Sequence, residues 1–231
     1  MIALETEPVA SEPTREPARK SKNPWLIWQL ADSAFPTGGF AHSGGLEAAW
    51  QHGEIRTRSD LAIFLKSQIT QCGYGALPFV SHSHLEPERL AEFDATFDAF
   101  TTNHVANRAS RLQGKAFLTA VERAFGALAK AAFGHLAPIY GTVLARLGVD
   151  RHTSVRLFLF GQLRSAIGSA VRLGIVGPLE AQGIQNSLSS HAEYTFRRSA
   201  MLGLDEIAQT APLADLWQGA HDRLYSRLFQ S

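Results

Sequence analysis

The chain has 231 residues, 45 % hydrophobic and 19 % charged, with 22 Lys and Arg against 21 Asp and Glu for a net charge of +1. A chain of this size can bury one continuous core, and its near-neutral balance gives no electrostatic footprint for nucleic acid or an anionic membrane. No apolar run reaches the roughly 18 residues of a membrane span, since the best candidate, 155–171, is broken by Arg156 and Arg164; the single cysteine, Cys72, cannot form an internal disulfide and suits a reducing, cytoplasmic compartment.

Residues 1–23 stand apart. Glu5, Glu7, Glu12, Arg15, Glu16, Arg19, Lys20 and Lys22 alternate with Pro8, Pro13 and Pro17, and the stretch lacks the apolar centre of a secretory signal. So little apolar surface cannot offset the entropy of ordering, which predicts a disordered tail. From Pro24 onward the pattern is helical nearly everywhere, predicting one all-α domain over 24–231, a bundle of roughly nine or ten helices. A first helix is expected over 25–35. Next comes 60–74, capped by Thr57 or Ser59, with Leu61, Phe64, Leu65 and Ile69 forming one apolar stripe. Helices over 86–100 and 103–130 follow, the second carrying Val105, Ala109, Leu112, Ala116, Ala120 and Ala124 on one face. Pro138 suits the first turn of the next helix and Gly148 its end. The helix over 153–173 carries Gly161, Ser165 and Gly168 at i, i+4 and i+7, a small-residue strip expected to admit another helix closely. Gly177-Pro178 opens a further helix through Ala181, Ile184, Leu188, Ala192 and Phe196.

Between the first two apolar stretches lies Pro36-Thr-Gly38-Gly39-Phe40-Ala-His42-Ser43-Gly-Gly45-Leu46-Glu47. Its glycines permit backbone angles closed to other residues and Pro36 presets one φ, so the loop has a defined shape. Ser43 is placed to cap the helix that Leu46 and Glu47 begin.

Enzyme motifs are not found. Gly114-Lys115 is followed by Ala116 and sits within a helix, so it cannot be a phosphate-cradling loop for GTP. Gly73-Tyr-Gly75-Ala-Leu-Pro78 lacks the last glycine of a dinucleotide fingerprint, and His191-Ala-Glu193 lacks the cysteine pair of a zinc deaminase. No local motif suggests a Ser–His–acid set, and the chain is read as a non-enzyme. Cys72, His82 and His84 are the densest candidate metal group. On a helix, residues 82 and 84 would face roughly opposite ways, which leaves them weak candidates for nickel. The C-terminal segment, from about 213 to 231, ends His221-Asp-Arg-Leu-Tyr225-Ser-Arg227-Leu228-Phe229-Gln-Ser231. If helical, it would place Trp217, Leu224 and Leu228 on one face. Its aromatic and arginine content suits a contact surface, and a last helix docked on its own core explains it equally well.

The order Pro-x-Gly-Gly-Phe-x-x-Ser-x-Gly-Leu-Glu, shortly after a first amphipathic helix, closely resembles the N-terminal motif of the UreF family of urease accessory proteins. The tail Tyr-Ser-Arg-Leu-Phe-x-Ser is similar to the family's C-terminus. His135-Leu-Ala-Pro138-Ile-Tyr-Gly141 resembles its His-x-x-Pro-x-x-Gly segment, and Ser169-Ala-Val-Arg172-Leu173-Gly174 with Gly177-Pro178 resembles its Arg-Leu-rich helix end. The matches run in order through residues 25–231. One departure is His42, where many members have Tyr. The resemblance implies an all-α, homodimeric chaperone of nickel insertion with no active site. It would act with UreD (UreH in some species) and the GTPase UreG on the urease apoprotein. Nickel and GTP would be handled by the complex rather than bound by this chain. His221, Tyr225, Arg227, Leu228, Phe229 and Ser231 would bind UreD, the tail ordering upon it. Arg172 and the Pro36–Glu47 loop would serve structure or partner contact. Two alternatives stand beside this reading: a direct nickel carrier using its His and Cys residues, and an unrelated helical enzyme with a site assembled from distant residues.

Overall fold

Residues 136–144 are apolar almost all round, and a helix of that kind must lie inside the protein. In the computed structural model, which describes residues 23–231, every residue from Leu136 to Leu144 is buried within α7 (Leu136–Arg146). Among the described residues there are ten α-helices and no strand. Before α7 come α1 (Pro24–Ala31), α2 (Leu46–Gln51), α3 (Arg58–Gly75), α4 (Leu77–Leu85), α5 (Leu90–Phe100) and α6 (His104–Phe125). After it come α8 (Arg151–Arg172), α9 (Pro178–Ser199) and α10 (Pro212–Ala220). The all-α expectation holds. The tail expected over 1–23 lies outside the described residues except for Asn23, whose side chain caps α1 by accepting from the Trp25 and Leu26 N–H groups.

α7 is sheathed by α4, α6 and α8, with α3 and α9 completing the bundle. Gly141 lets α7 approach α4 closely: a Cβ there would lie 2.2 Å from the Val80 carbonyl oxygen of α4. Around α7 the rings of Phe117, Tyr140 and Phe158 pack with centroids 5.0 and 5.3 Å apart. Such aromatic pairs add to the burial of large apolar area.

Helix ends follow local chemistry. Thr57 and Asp60 form a reciprocal capping box on α3, Asn103 caps α6, and Asp150 caps α8. Gly148 stops α7 in the left-handed region at φ +73°. Four expectations shift. α1 ends at Ala31, where Asp32 turns the chain by accepting from Ala34 N–H. α5 begins at Leu90, because Pro87 opens a separate 3-10 turn. α6 stops at Phe125, because Gly126 adopts φ +91°. The end of the chain is not one helix: α10 stops at Ala220, a 3-10 turn covers His221–Arg223, and an irregular strap follows. Trp217, Leu224 and Leu228 therefore share no helix face.

The small-residue strip on α8 also serves differently from expectation. A Cβ at Gly161 or Gly168 would meet nothing within 4 Å, so no helix presses there. Instead Ser165, Ser169 and Arg172, again at i, i+4 and i+7, form a row that receives the glycine loop. None of the described helices is long and apolar enough to cross a membrane.

Candidate functional site

The loop from Pro36 to Gly45 has many backbone carbonyls and little regular structure, so its polar groups need outside partners. The α8 row supplies them. Ser165 Oγ donates to the Gly39 carbonyl at 2.9 Å, Ser169 Oγ to that of His42 at 3.3 Å, and Arg172 to that of Phe40. From α3, the Gln68 amide donates to the Gly44 carbonyl. Gly45 at φ +88° faces α10, where a Cβ would lie 2.8 Å from the Gln218 nitrogen. Glycine is thus required twice over, by conformation and by space. Ser43 Oγ accepts from the Glu47 N–H at 3.4 Å, near its expected capping role, although Gly45 holds the cap position.

Glu47 is the centre of the site. It is 1 % exposed, at the start of α2. Its carboxylate accepts from the Leu228 N–H at 2.6 Å, the Phe229 N–H at 3.1 Å and His221 Nε2 at 3.1 Å. Beside it, the strap runs along the loop. Gln230 N–H donates to the Ala41 carbonyl at 2.8 Å and Ser43 N–H to the Ser231 carbonyl at 2.6 Å. His42 Nδ1 meets Ser231 Oγ at 2.5 Å. The Arg172 guanidinium lies over the Phe229 ring at 4.4 Å and near that of Phe40 at 5.9 Å, joining strap and loop through one cation. Burial above all, aided by Arg108 and His221, pushes His42 down to about 4.

The structure therefore brings together, in one place, most residues that the sequence singled out: the loop, Glu47, Arg172, His221, Phe229 and Ser231. The tail is seated on the chain's own core. His221, Phe229 and Ser231 face inward, while Tyr225 is fully exposed and Leu228 half exposed. Arg227 reaches Asp222 at 3.4 Å, and Arg108 grips the same carboxylate at 2.7 and 3.0 Å, holding Asp222 below the usual carboxylate range. Sequence reasoning missed the Ser165–Gly39 and His42–Ser231 contacts, because each pairs residues more than a hundred positions apart.

The candidate metal residues lie elsewhere. His82 Nε2 contacts the Leu202 carbonyl at 3.2 Å and His84 Nε2 the Val149 carbonyl at 2.7 Å. Burial pushes the Cys72 thiol up to about 12, away from the thiolate that a metal needs. Among the described residues no three His, Cys, Asp or Glu side chains are grouped to hold a metal ion. A cavity of about 230 Å³ lies under the loop, bordered by His42, Gln68, Cys72, Ser110, Gln113 and Gln218.

The UreF family model matches residues 55–189. The chain belongs to the UreF family. It is 37 % identical over 221 residues to urease accessory protein F of Arabidopsis thaliana, covering 90 % of this chain and 92 % of that protein. It is 34 % identical over 232 residues to urease accessory protein F of Oryza sativa subsp. indica, covering 94 % and 89 %. To urease accessory protein UreF of Rhizobium leguminosarum bv. viciae it is 30 % identical over 205 residues, covering 86 % and 92 %. The UreF match ends short of both the glycine loop and the strap, yet these two pack into a single unit around Glu47.

Two outcomes follow. Glu47→Ala strands the buried His221 and two strap N–H groups, that of Phe229 buried and that of Leu228 partly so, and is expected to cost about 3–5 kcal/mol in urea unfolding and to speed tryptic cleavage at Arg223 and Arg227. His42 is neutral in the folded chain, so acidification favours the unfolded form, which takes up the proton first. Its contribution is fully present above its ordinary value of 6.5 and is lost as pH falls toward about 4, on the order of 3 kcal/mol. A His42→Asn chain should show a correspondingly flatter stability profile across that window.

Proposed function

We propose that this chain serves urease maturation as a non-catalytic scaffold. UreD (UreH) would seat on the outer face of the strap, and the UreG GTPase would be held on the same assembly. Nickel would pass to the urease apoprotein as cargo of the complex, with GTP handled by UreG and a homodimer of this chain at its centre, in the cytoplasm. The observation that carries the reading is the strap. Its inner side is fixed by a buried carboxylate, and its outer side presents Tyr225, Leu228, Arg223 and Arg227, residue types that anchor protein interfaces. Relatives named urease accessory proteins support the same assignment. A regulator of UreG must bind two states of that partner with different affinity, since equal affinity would shift nothing. The direct-carrier reading has less support, because His82 and His84 are spent on separate carbonyls and the Cys72 thiol is held protonated.

Co-purification with the host's UreD and UreG tests the reading. The wild-type chain should retain UreD. A Tyr225→Ala/Leu228→Asp chain should lose it by at least about tenfold in affinity while unfolding at the wild-type temperature. Equal retention of UreD by both chains would overturn the assignment of the strap.

A further inference from the structure

The loop departs from the UreF motif at His42, where many members have Tyr, and nothing in the partner assignment uses that difference. The imidazole is 8 % exposed and lies between the loop and the strap. Backbone on either side is fixed: Ser169 on α8 holds the His42 carbonyl, and Ser43 N–H donates to the Ser231 carbonyl. The ring itself contacts the strap, Nδ1 meeting Ser231 Oγ at 2.5 Å. His104, His135 and His221 each reach a carboxylate, at 3.4, 2.9 and 3.1 Å, whereas His42 reaches none among the described residues. The charges that face it have the wrong sign for a proton. Arg108 on α6 and His221 in the 3-10 turn both act against one, and Arg172 on α8 is a further cation, over Phe229. Neighbouring carboxylates are engaged elsewhere: Glu47 on α2 by His221 and two strap N–H groups, Asp222 by Arg108 and Arg227, and Asp215 on α10 by Asn103. From α3, Cys72 borders the same cavity as an uncharged thiol.

We propose that His42 makes the seating of the strap acid-labile: a proton on its ring meets no carboxylate, and the chain accommodates it by lifting the strap from the loop while the bundle stays folded. Lifting returns the ring to water and takes Ser231 and His221 away from it. Burial above all, then Arg108 and His221, hold His42 near 4 in the seated form, so the lifted form takes up the proton first. Seating is therefore favoured in full above the ordinary value of 6.5 and loses ground as pH falls toward about 4. Lifting disturbs less than unfolding, because residues 224–231 contain no helix and Phe229 is their only member of the apolar core. Beyond the Glu47 contacts, the strap is attached through Ser226, whose carbonyl accepts from the Gln51 amide, and through Gln230 N–H on the Ala41 carbonyl. Segments attached in this way open locally at the low end of a protein's range of stabilities. Tyr carries no charge across these pH values, so the response belongs to this chain's His42 and not to the loop motif as such. It is a property of the chain alone, whichever partner meets the outer face of the strap.

The test is hydrogen–deuterium exchange of the purified full-length chain at about pH 7.5 and about pH 5, with rates referred to unstructured peptides at each pH. Protection of peptides from residues 224–231 should fall about tenfold or more on acidification, while that of Leu136–Leu144 in α7 is kept. In His42→Tyr and His42→Asn chains the strap should keep its protection at both pH values. Exchange of the histidine Cε1–H groups in the wild type reads the same ring without any substitution, and should show His42 neutral at about pH 6. This arm decides the matter if neither variant seats its strap at neutral pH. Strap protection unchanged by acid in the wild type, an equal loss in the His42 variants, a loss in step with α7, or a His42 that titrates at its ordinary value would overturn the proposal.

Discussion

The buried carboxylate of Glu47 is the constraint on which the rest of the site depends. An ionised group out of water is costly unless every lone pair is engaged, and here the engagement comes from His221 and two backbone N–H groups of the strap. The dependence runs both ways. The strap has no regular hydrogen bonding of its own, so its conformation is set by what Glu47 and the loop accept from it. α2 has only six residues, too short to persist by its own hydrogen bonds. It is held by α10 closing over Gly45 and by the strap beyond.

α8 is the rigid side of this arrangement. Ser165, Ser169 and Arg172 present three donors along one helix face, and the loop carbonyls of Gly39, His42 and Phe40 follow their spacing. Arg172 adds a second duty, since its guanidinium stacks on Phe229 while its N–H binds the loop. A change in the strap is thereby felt at Phe40, which stands exposed at the protein surface. For a urease accessory protein, this means that the N-terminal motif and the C-terminal motif form one physical surface.

Much of the fold was legible because it rests on local rules. The cap at Thr57 and the stop at Gly148 both lie within a few residues of what they control. The apolar run before Leu144 could only be a core helix. Where the reading slipped, a local signal was outweighed or absent. Gly126 breaks α6 despite alanines that favour continuing it, and Pro87 delays α5 by four residues, to Leu90. The strip of Gly161, Ser165 and Gly168 has helix-packing spacing, yet only Ser165 is used, and by a loop. The strap escaped for a plainer reason: no rule of sequence spacing links Glu47 to residues 181 and 182 positions later.

That separation also sets an order of events. A chain made from its N-terminus has the sequence of α2 and of the bundle helices in hand before residues 221–231 exist. Until then Glu47 keeps its water, and the glycine loop is held from the α8 side alone. Closing so long a loop is among the most entropically demanding contacts in the molecule and belongs late in folding. The seam between loop and strap thus joins parts of the chain far apart in sequence, and its closure completes both at once.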